Sequence, residues 1–280
     1  MKLALCNEVL RGLDFPSQCT LAKGLGYDGL EIAPFTLSDE PQRLPYDRRT
    51  ELRRIAEDAG LAITGLHWLL LVPAGLSITS KQHGERQRAV EVMRGLIGLC
   101  ADLGGKVLVH GSPGQRQIAP GHSPEAALDH ARECFAAVAK DAEQAGVIYC
   151  IEPLARSETP LINTVEEAAA IVRAIDNPAL RTMIDTCAAG QAETQPVPDL
   201  IDRWLPGGQV AHIHLNDPNR RAPGQGALRF APILAALRRQ GYDGIAGVEP
   251  FVYEPDGPSC AARAIGYVRG ILEALEGQPA

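Results

Sequence analysis

Residues 209–221 read Gln-Val-Ala-His-Ile-His-Leu-Asn-Asp-Pro-Asn-Arg-Arg, and their first half has the pattern of a buried β-strand. Apolar and β-branched residues come first, and the Asn-Asp-Pro run that follows is a turn signal. Side chains alternate between the two faces of a strand, so His212 and His214 point the same way. They are either hydrogen-bonded core histidines or part of a polar site, and three matching segments favour the polar site.

Each of these three segments is a short apolar run that ends in an acid: Glu152, Asp185 and Glu249. The separations are 33 residues from Glu152 to Asp185, 29 from Asp185 to His214 and 35 from His214 to Glu249. One strand, one helix and two loops need about 30 residues. The four residues are therefore predicted to end four successive βα strands, and in a parallel barrel such ends converge on one face.

Three converging carboxylates would repel one another and raise one another's pKa values. A divalent cation removes that conflict. Oxygen ligands with a single imidazole suit Mn²⁺, Mg²⁺ or Co²⁺ better than a thiolate-type zinc site. The pattern thus predicts one divalent cation held by Glu152, Asp185, His214 and Glu249.

The whole chain alternates between strand and helix patterns. Strands are predicted at 2–6, 28–32, 61–67, 106–110, 147–152, 182–185 and 245–249, with a further strand that ends at His214. Helices are predicted at 16–24, 47–59, 85–103, 124–144, from 164 onward, and at 198–204, 230–239 and 259–275. This alternation predicts a single-domain (β/α)₈ TIM barrel over residues 1–280. A doubly wound open sheet is the alternative, and it would bring four strand ends to one cation less easily.

Composition sets further limits. The chain has 280 residues, is 45% hydrophobic and carries a formal net charge of −7, which argues against a nucleic-acid-binding protein. No apolar run has the length of a membrane-spanning helix, and the N-terminal residues do not form a signal peptide. The seven cysteines include no CxxC pair and are expected to be buried, reduced thiols in a cytoplasmic protein.

Three further residues lie at or just after predicted strand ends: His67, His110 and Arg116. We expect them to line the mouth of the barrel and to contact substrate. His212 is expected either to orient a ligand or carboxylate from behind or to be a packed interior histidine. Residues 68–83 form a long loop, which is either an apolar wall of the site or a surface excursion.

These residues resemble the xylose isomerase-like barrel superfamily, and the D-tagatose 3-epimerase-like enzymes most of all. The resemblance spans nearly the whole chain. It implies that the four strand-end residues bind one Mn²⁺ or Co²⁺, and that Glu152 and Glu249 are also the two acid–base catalysts. It implies that Glu158 and Arg220 contact substrate hydroxyls, and that the protein is a homodimer or homotetramer.

The predicted function is a metal-dependent epimerase or isomerase of a small ketose or sugar derivative. One departure bears on the substrate, because Ala188 stands where those epimerases carry a histidine. Alternatives are lyase, dehydratase or decarboxylase chemistry on a keto-sugar or inosose at the same site, a non-catalytic sugar-binding barrel, and an endonuclease IV-like nuclease. Whether the substrate carries a phosphate that Arg116, Arg220 or Arg221 would meet stays open.

Overall fold

The protein folds into a closed barrel of parallel strands, as seen in a computed structural model that describes residues 1–276. The last four residues of the predicted domain lie outside that range. The strands of the described part are β1 (Lys2–Cys6), β2 (Gly29–Ile32), β3 (Ala62–Leu66), β4 (Val107–His110), β5 (Ile148–Ile151), β6 (Leu180–Asp185), β7 (Val210–Leu215) and β8 (Ile245–Val248). Each pairs in parallel with its sequence neighbour, and β8 pairs with β1 to close the barrel.

Helices cover the outside of the barrel. Within residues 1–276 they are α1 (Phe15–Leu25), α2 (Tyr46–Asp58), α3 (His83–Asp102), α4 (Pro124–Ala145), α5 (Val165–Ile175), α6 (Thr186–Ala192), α7 (Val197–Trp204), α8 (Phe230–Arg239) and α9 (Gly257–Glu276). Their apolar faces pack on the outward-facing strand residues in one large core. None of the described helices is both long and apolar enough to cross a lipid bilayer.

The predicted fold class is confirmed, and the predicted strand bounds differ from the observed ones by at most two residues. The helix predicted from 164 onward is α5, and Thr164 and Glu167 form a capping box at its start. The helix α6 was not predicted. It begins directly after Asp185, and the side chain of that residue accepts a hydrogen bond of 2.5 Å from the amide of Ala188. An N-cap of this kind holds Asp185 in place at the end of β6.

The inside of the barrel changes character along its axis. A small apolar cluster of Val109, Cys150 and Met183 fills its middle. Beyond that cluster, toward the carboxyl ends of the strands, the inward-facing residues are acids and histidines. In a βα barrel this is the face where loops and strand ends build a site.

Candidate metal centre and active site

The four strand-end residues meet at the carboxyl face of the barrel. Glu152, Asp185, His214 and Glu249 each present one donor atom, and these atoms all lie within 4.8 Å of one another. All four residues are buried, at 4% relative exposure or less. The parallel register explains the meeting, because Asp185 and His214 are paired neighbours on β6 and β7 and the two glutamates directly follow β5 and β8.

His214 is held in a fixed orientation by two carboxylates. Its Nδ1 lies 3.0 Å from Oε2 of Glu249, and its Nε2 lies 3.0 Å from Oε1 of Glu31. Burial disfavours the imidazolium, but Glu249 and Glu31 outweigh that effect and raise the pKa of His214 well above its usual value. Nδ1 therefore faces the cluster of carboxylates, and Glu31 holds Nε2 on the opposite side of the ring.

Glu31 is a site residue that the sequence analysis missed. Glu31 lies in β2 and is fully buried. Its Oε2 atom lies 2.9 Å from Nε2 of His212. Burial opposes its ionisation, but the two imidazoles hold the pKa of Glu31 well below its usual range. His212 therefore contacts the same carboxylate that holds His214, and its role in orienting that group stays a prediction. The signal was present in the sequence, since Glu31 is also an acid near the end of a predicted strand.

The carboxylates themselves carry an electrostatic conflict. Burial, followed by repulsion from Glu249 and Asp185, raises the pKa of Glu152 well above its usual value. Burial, followed by repulsion from Glu249, raises the pKa of Asp185 to about 7. The Oδ2 atom of Asp185 is buried and has no hydrogen-bond partner among the described residues. An unpaired inward oxygen among repelling carboxylates and an oriented imidazole is the environment that a hard divalent cation fits.

Glu249 is also contacted from the other side. Nδ1 of His67 lies 2.8 Å from its Oε1, and Nε2 of the same ring lies 2.9 Å from Oε2 of Glu8. Burial opposes the ionisation of Glu249, but His214 and then His67 lower its pKa to about 2. The sequence analysis expected His67 to line the mouth of the barrel. His67 is instead fully buried behind Glu249 and does not line the cavity.

A cavity of about 170 Å³ opens above the cluster. Glu152, Asp185 and Glu249 lie at its floor, and the predicted substrate contacts Glu158 and Arg220 lie on its walls. Gly111 leaves space for the carboxylate of Glu152, because a Cβ atom at this position would lie 1.6 Å from its Oε2.

One side of the cavity is an aromatic wall. The ring of Phe251 is edge-on to Trp68 at 5.7 Å, and the guanidinium of Arg220 lies 4.8 Å from its centroid. Trp68 belongs to the loop at 68–83, so that loop contributes to the site. Trp68 and Arg220 both adopt left-handed backbone conformations, with φ of 53° and 67°. Such conformations are costly for residues other than glycine and concentrate at functional sites.

His110 and Arg116 do not line this cavity. His110 is on the outward face of β4, where its Nδ1 lies 2.7 Å from the hydroxyl of Tyr149 and its ring packs on Phe135 of α4. The strand ends at His110, but alternation directs this side chain toward the helices. Burial, followed by the charge of Arg116, lowers the pKa of His110 to about 3.

Arg116 is fully buried, and its three guanidinium nitrogens find no hydrogen-bond partner among the described residues. Burial lowers its pKa to about 10, against the opposing charges of Glu152 and Glu158. It is therefore a cation beneath the wall of the site and not part of its lining.

Comparison with known proteins agrees with this architecture. Residues 19–271 match the model of a family described as xylose isomerase-like TIM barrel. The chain is 28% identical over 243 residues to the D-psicose 3-epimerase of Enterocloster bolteae, which covers 86% of this chain and 78% of that protein. It is 24% identical over 249 residues to the ketose 3-epimerase of Arthrobacter globiformis, which covers 88% and 80%.

The fold is shared with solved structures. The crystal structure of D-psicose 3-epimerase with D-tagatose from Clostridium cellulolyticum H10 superposes with a TM-score of 0.84 at 24% identity, covering 97% of this chain and 99% of that one. The match of residues 19–271 to the family model shows that the chain belongs to the xylose isomerase-like TIM barrel family.

Proposed function

We propose that this protein is a divalent-metal-dependent epimerase of a small ketose or sugar derivative. The observation that carries the proposal is the convergence of Glu152 and Glu249 on one cavity floor, with Asp185 and His214 completing a cation-binding set. The curated relatives named as ketose 3-epimerases support the reaction class.

Glu152 and Glu249 act as a proton-transfer pair. One carboxylate removes the proton from the carbon next to the substrate carbonyl, and the other returns a proton to the opposite face, which inverts that centre. A divalent cation bound by the cluster stabilises the negative charge that develops on the substrate oxygens. Each positioned acid–base group typically contributes about 10²–10⁴ in rate.

The remaining residues of the cavity position the sugar. Glu158 and Arg220 lie on the walls, where a carboxylate and a guanidinium can bind substrate hydroxyls. Trp68 and Phe251 offer an apolar face to the carbon skeleton. His67 fixes one oxygen of Glu249, which leaves the other oxygen on the side of His214.

We further propose Mn²⁺ as the ion, with Co²⁺ and Mg²⁺ as the other candidates, because three carboxylates and one imidazole form an oxygen-rich set. A homodimer or homotetramer, a cytoplasmic location and a single domain over residues 1–280 stay predictions. Arg221 is paired with Glu254 at 2.5 Å and does not line the cavity.

Solvent-deuterium exchange tests the proposal. Metal-loaded protein in D₂O is incubated with D-psicose, D-fructose, D-tagatose and their phosphates, and NMR follows the proton next to each carbonyl. We expect exchange with at least one ketose, its loss after EDTA, and a loss of about 10²-fold or more in Glu249→Gln.

Glu57→Gln is the matched control, because Glu57 is exposed on α2 and its carboxylate pairs with Arg53 on the same helix, away from the site. The metal content of each variant is measured, since Glu249 is also a predicted ligand. Absence of exchange with every sugar in fully loaded protein would overturn the proposal. Formation of a dehydrated or cleaved product would instead assign the site to lyase chemistry.

A further inference from the structure

A second group of possible ligands lies behind Glu249, on the side away from the cavity. Cys6, Glu8, His67 and Glu249 each offer one donor atom, and these atoms all lie within 4.8 Å of one another. Cys6 ends β1, Glu8 lies in the 3-10 helix Asn7–Leu10, and His67 directly follows β3. Cys6, Glu8 and His67 are buried at 1% relative exposure or less, and none of them lines the substrate cavity.

The hydrogen bonds of His67 leave a position that a cation can take. A neutral imidazole has one N–H, yet both ring nitrogens of His67 lie within 2.9 Å of a carboxylate oxygen. Burial disfavours the imidazolium, but Glu8 and Glu249 raise the pKa of His67 well above its usual value, so both nitrogens donate to carboxylates. A cation that displaces the Nε2 proton would bind the Nε2 lone pair on the side of Glu8, while Nδ1 still donates to Glu249. A carboxylate that orients the far nitrogen of a metal-bound histidine is the usual arrangement around such ligands.

The same arrangement occurs at His214, where Glu31 anchors one nitrogen and the other faces the predicted cation site. The two rings are neighbours, with centroids 5.8 Å apart. Each histidine thus bridges two carboxylates, and Glu249 is common to both bridges. The thiol of Cys6 lies beside both bridges, because it is also within 4.8 Å of donor atoms of Glu31 and His214.

Two further observations point into this second group. The Oε1 atom of Glu8 is buried and has no hydrogen-bond partner among the described residues. Cys6 faces carboxylates and an imidazole, whereas the thiols of Cys100, Cys134 and Cys260 each contact a main-chain carbonyl. In a tetrahedral Zn²⁺ site, ligand bonds of about 2.0–2.3 Å place ligand atoms about 3.3–3.8 Å apart, so the widest pairs of this group must close by about 1–1.5 Å.

We propose that Cys6, Glu8 and His67 form a second cation site, selective for Zn²⁺ and similar thiolate-binding ions, and that Glu249 links it to the first group by orienting the Nδ1 side of His67. Sulfur, imidazole and carboxylate together select zinc over the hard ions that an oxygen-rich set accepts. Binding releases the thiol proton of Cys6 and any Nε2 proton of His67 to solvent.

The site would also regulate the reaction. Given the proposed function, a cation held by Cys6, Glu8 and His67 would pull His67, and through it Glu249, away from the cavity, so excess Zn²⁺ would inhibit the enzyme. This consequence rests on the proposed function, whereas the binding of the second ion does not.

Cobalt spectroscopy tests the binding directly. Metal-free full-length protein is titrated with Co²⁺, and bound metal per chain is measured together with the near-ultraviolet thiolate-to-cobalt charge-transfer band. We expect two ions per chain and a band that grows with the second ion. Zn²⁺-loaded wild-type protein should show a sulfur neighbour at about 2.3 Å in X-ray absorption.

Variants assign the thiolate. Cys6→Ser should remove the band and the second ion while the first ion still binds, and Glu8→Gln should weaken the second ion in a chain that keeps the thiol. Cys187→Ser is the matched control, because Cys187 is the thiol that lines the substrate cavity beside Asp185. One ion per chain with no band in the wild type would overturn the proposal, as would a band that survives in Cys6→Ser.

Discussion

Nε2 of His214 lies 3.0 Å from Oε1 of Glu31, although β2 and β7 are separated in the barrel by β1 and β8. The contact crosses the barrel interior. Gly247 on β8 makes the space for it, because a Cβ atom there would lie 2.9 Å from both Oε2 of Glu31 and Cδ2 of His214. A carboxylate from the first quarter of the chain therefore sets the direction of a metal-ligand candidate in the last quarter.

Glu31→Gln tests this contact. Each oxygen of Glu31 contacts a different imidazole, His212 or His214. Glutamine has one accepting oxygen and one donating NH₂ group, so one of the two contacts is lost and His214 loses its fixed orientation. Outer contacts of this kind are typically worth about 10–100-fold in metal affinity. We expect Mn²⁺ binding, measured by calorimetric titration, to weaken by that factor. Exposed Glu57→Gln should leave the affinity unchanged, and equal affinities for the two variants would refute the role of Glu31.

Gly111→Ala tests the packing beneath Glu152. The added methyl group would overlap Oε2 of Glu152, so the carboxylate must move. A displacement of about 1 Å at a catalytic group can cost about 10²-fold in rate, and we expect kcat/KM for ketose epimerisation to fall by at least that factor.

Gly114→Ala in the same loop is the control for that variant, because a Cβ atom at Gly114 meets nothing within 4 Å. Thermal unfolding of both variants separates displacement of Glu152 from loss of folding. A Gly111→Ala enzyme with normal kcat/KM would show that the position of Glu152 is not critical.

Metal-free protein should lose stability as the pH rises through neutrality. The pKa of Asp185 is raised from 3.8 to about 7 in the folded protein. Its contribution to the free energy of unfolding is therefore fully present below its ordinary pKa and is lost as the pH rises through about 7. The raised pKa values of Glu152, His67 and His214 act in the same direction. The lowered pKa values of Glu249 and Glu31 act oppositely, but only in the acid range.

The slope of unfolding free energy against pH should be about −1.4 kcal/mol per pH unit for each proton retained by the folded state. Urea unfolding in EDTA between about pH 5 and about pH 8 measures it. Saturating Mn²⁺ should flatten the slope and raise the midpoint, because the cation binds the ionised carboxylates of the folded chain. A midpoint that rises with pH in EDTA would contradict this account.

Arg116→Met should not destabilise the protein. Burying a guanidinium without partners costs several kcal/mol, and replacing buried charges by apolar groups of similar size is often neutral or stabilising. We expect the free energy of unfolding to stay within about 1 kcal/mol of the wild-type value or to rise.

The control for Arg116→Met is Arg49→Met, because Arg49 donates to Asp102 at 2.9 Å and to the main-chain oxygen of Leu44 at 2.7 Å. Its loss should destabilise by about 1.5–3 kcal/mol, since hydrogen bonds between charged groups are removed. Urea unfolding of both variants decides the comparison. If Arg116→Met proves the more destabilising, the guanidinium has a structural role that its protein contacts do not show.

The sequence alone determined the barrel and the four residues that meet at the carboxyl ends of its strands. Strand and helix periodicities are local properties, and a repeat of about 30 residues leaves few ways to arrange eight such units. Strand-end positions converge in that fold whatever the details of packing, so Glu152, Asp185, His214 and Glu249 could be grouped without coordinates.

Only the tertiary structure decided which groups stand behind them. Glu8 and Glu31 reach His67, His212 and His214 across the barrel, and no short-range pattern reports a contact between residues so far apart in sequence. The sequence also did not show whether a side chain at a strand end points into the barrel or out toward the helices. His67 and His110 both occur there, but one faces Glu249 and the other faces α4, because a shift of one position in the strand alternation exchanges inside for outside.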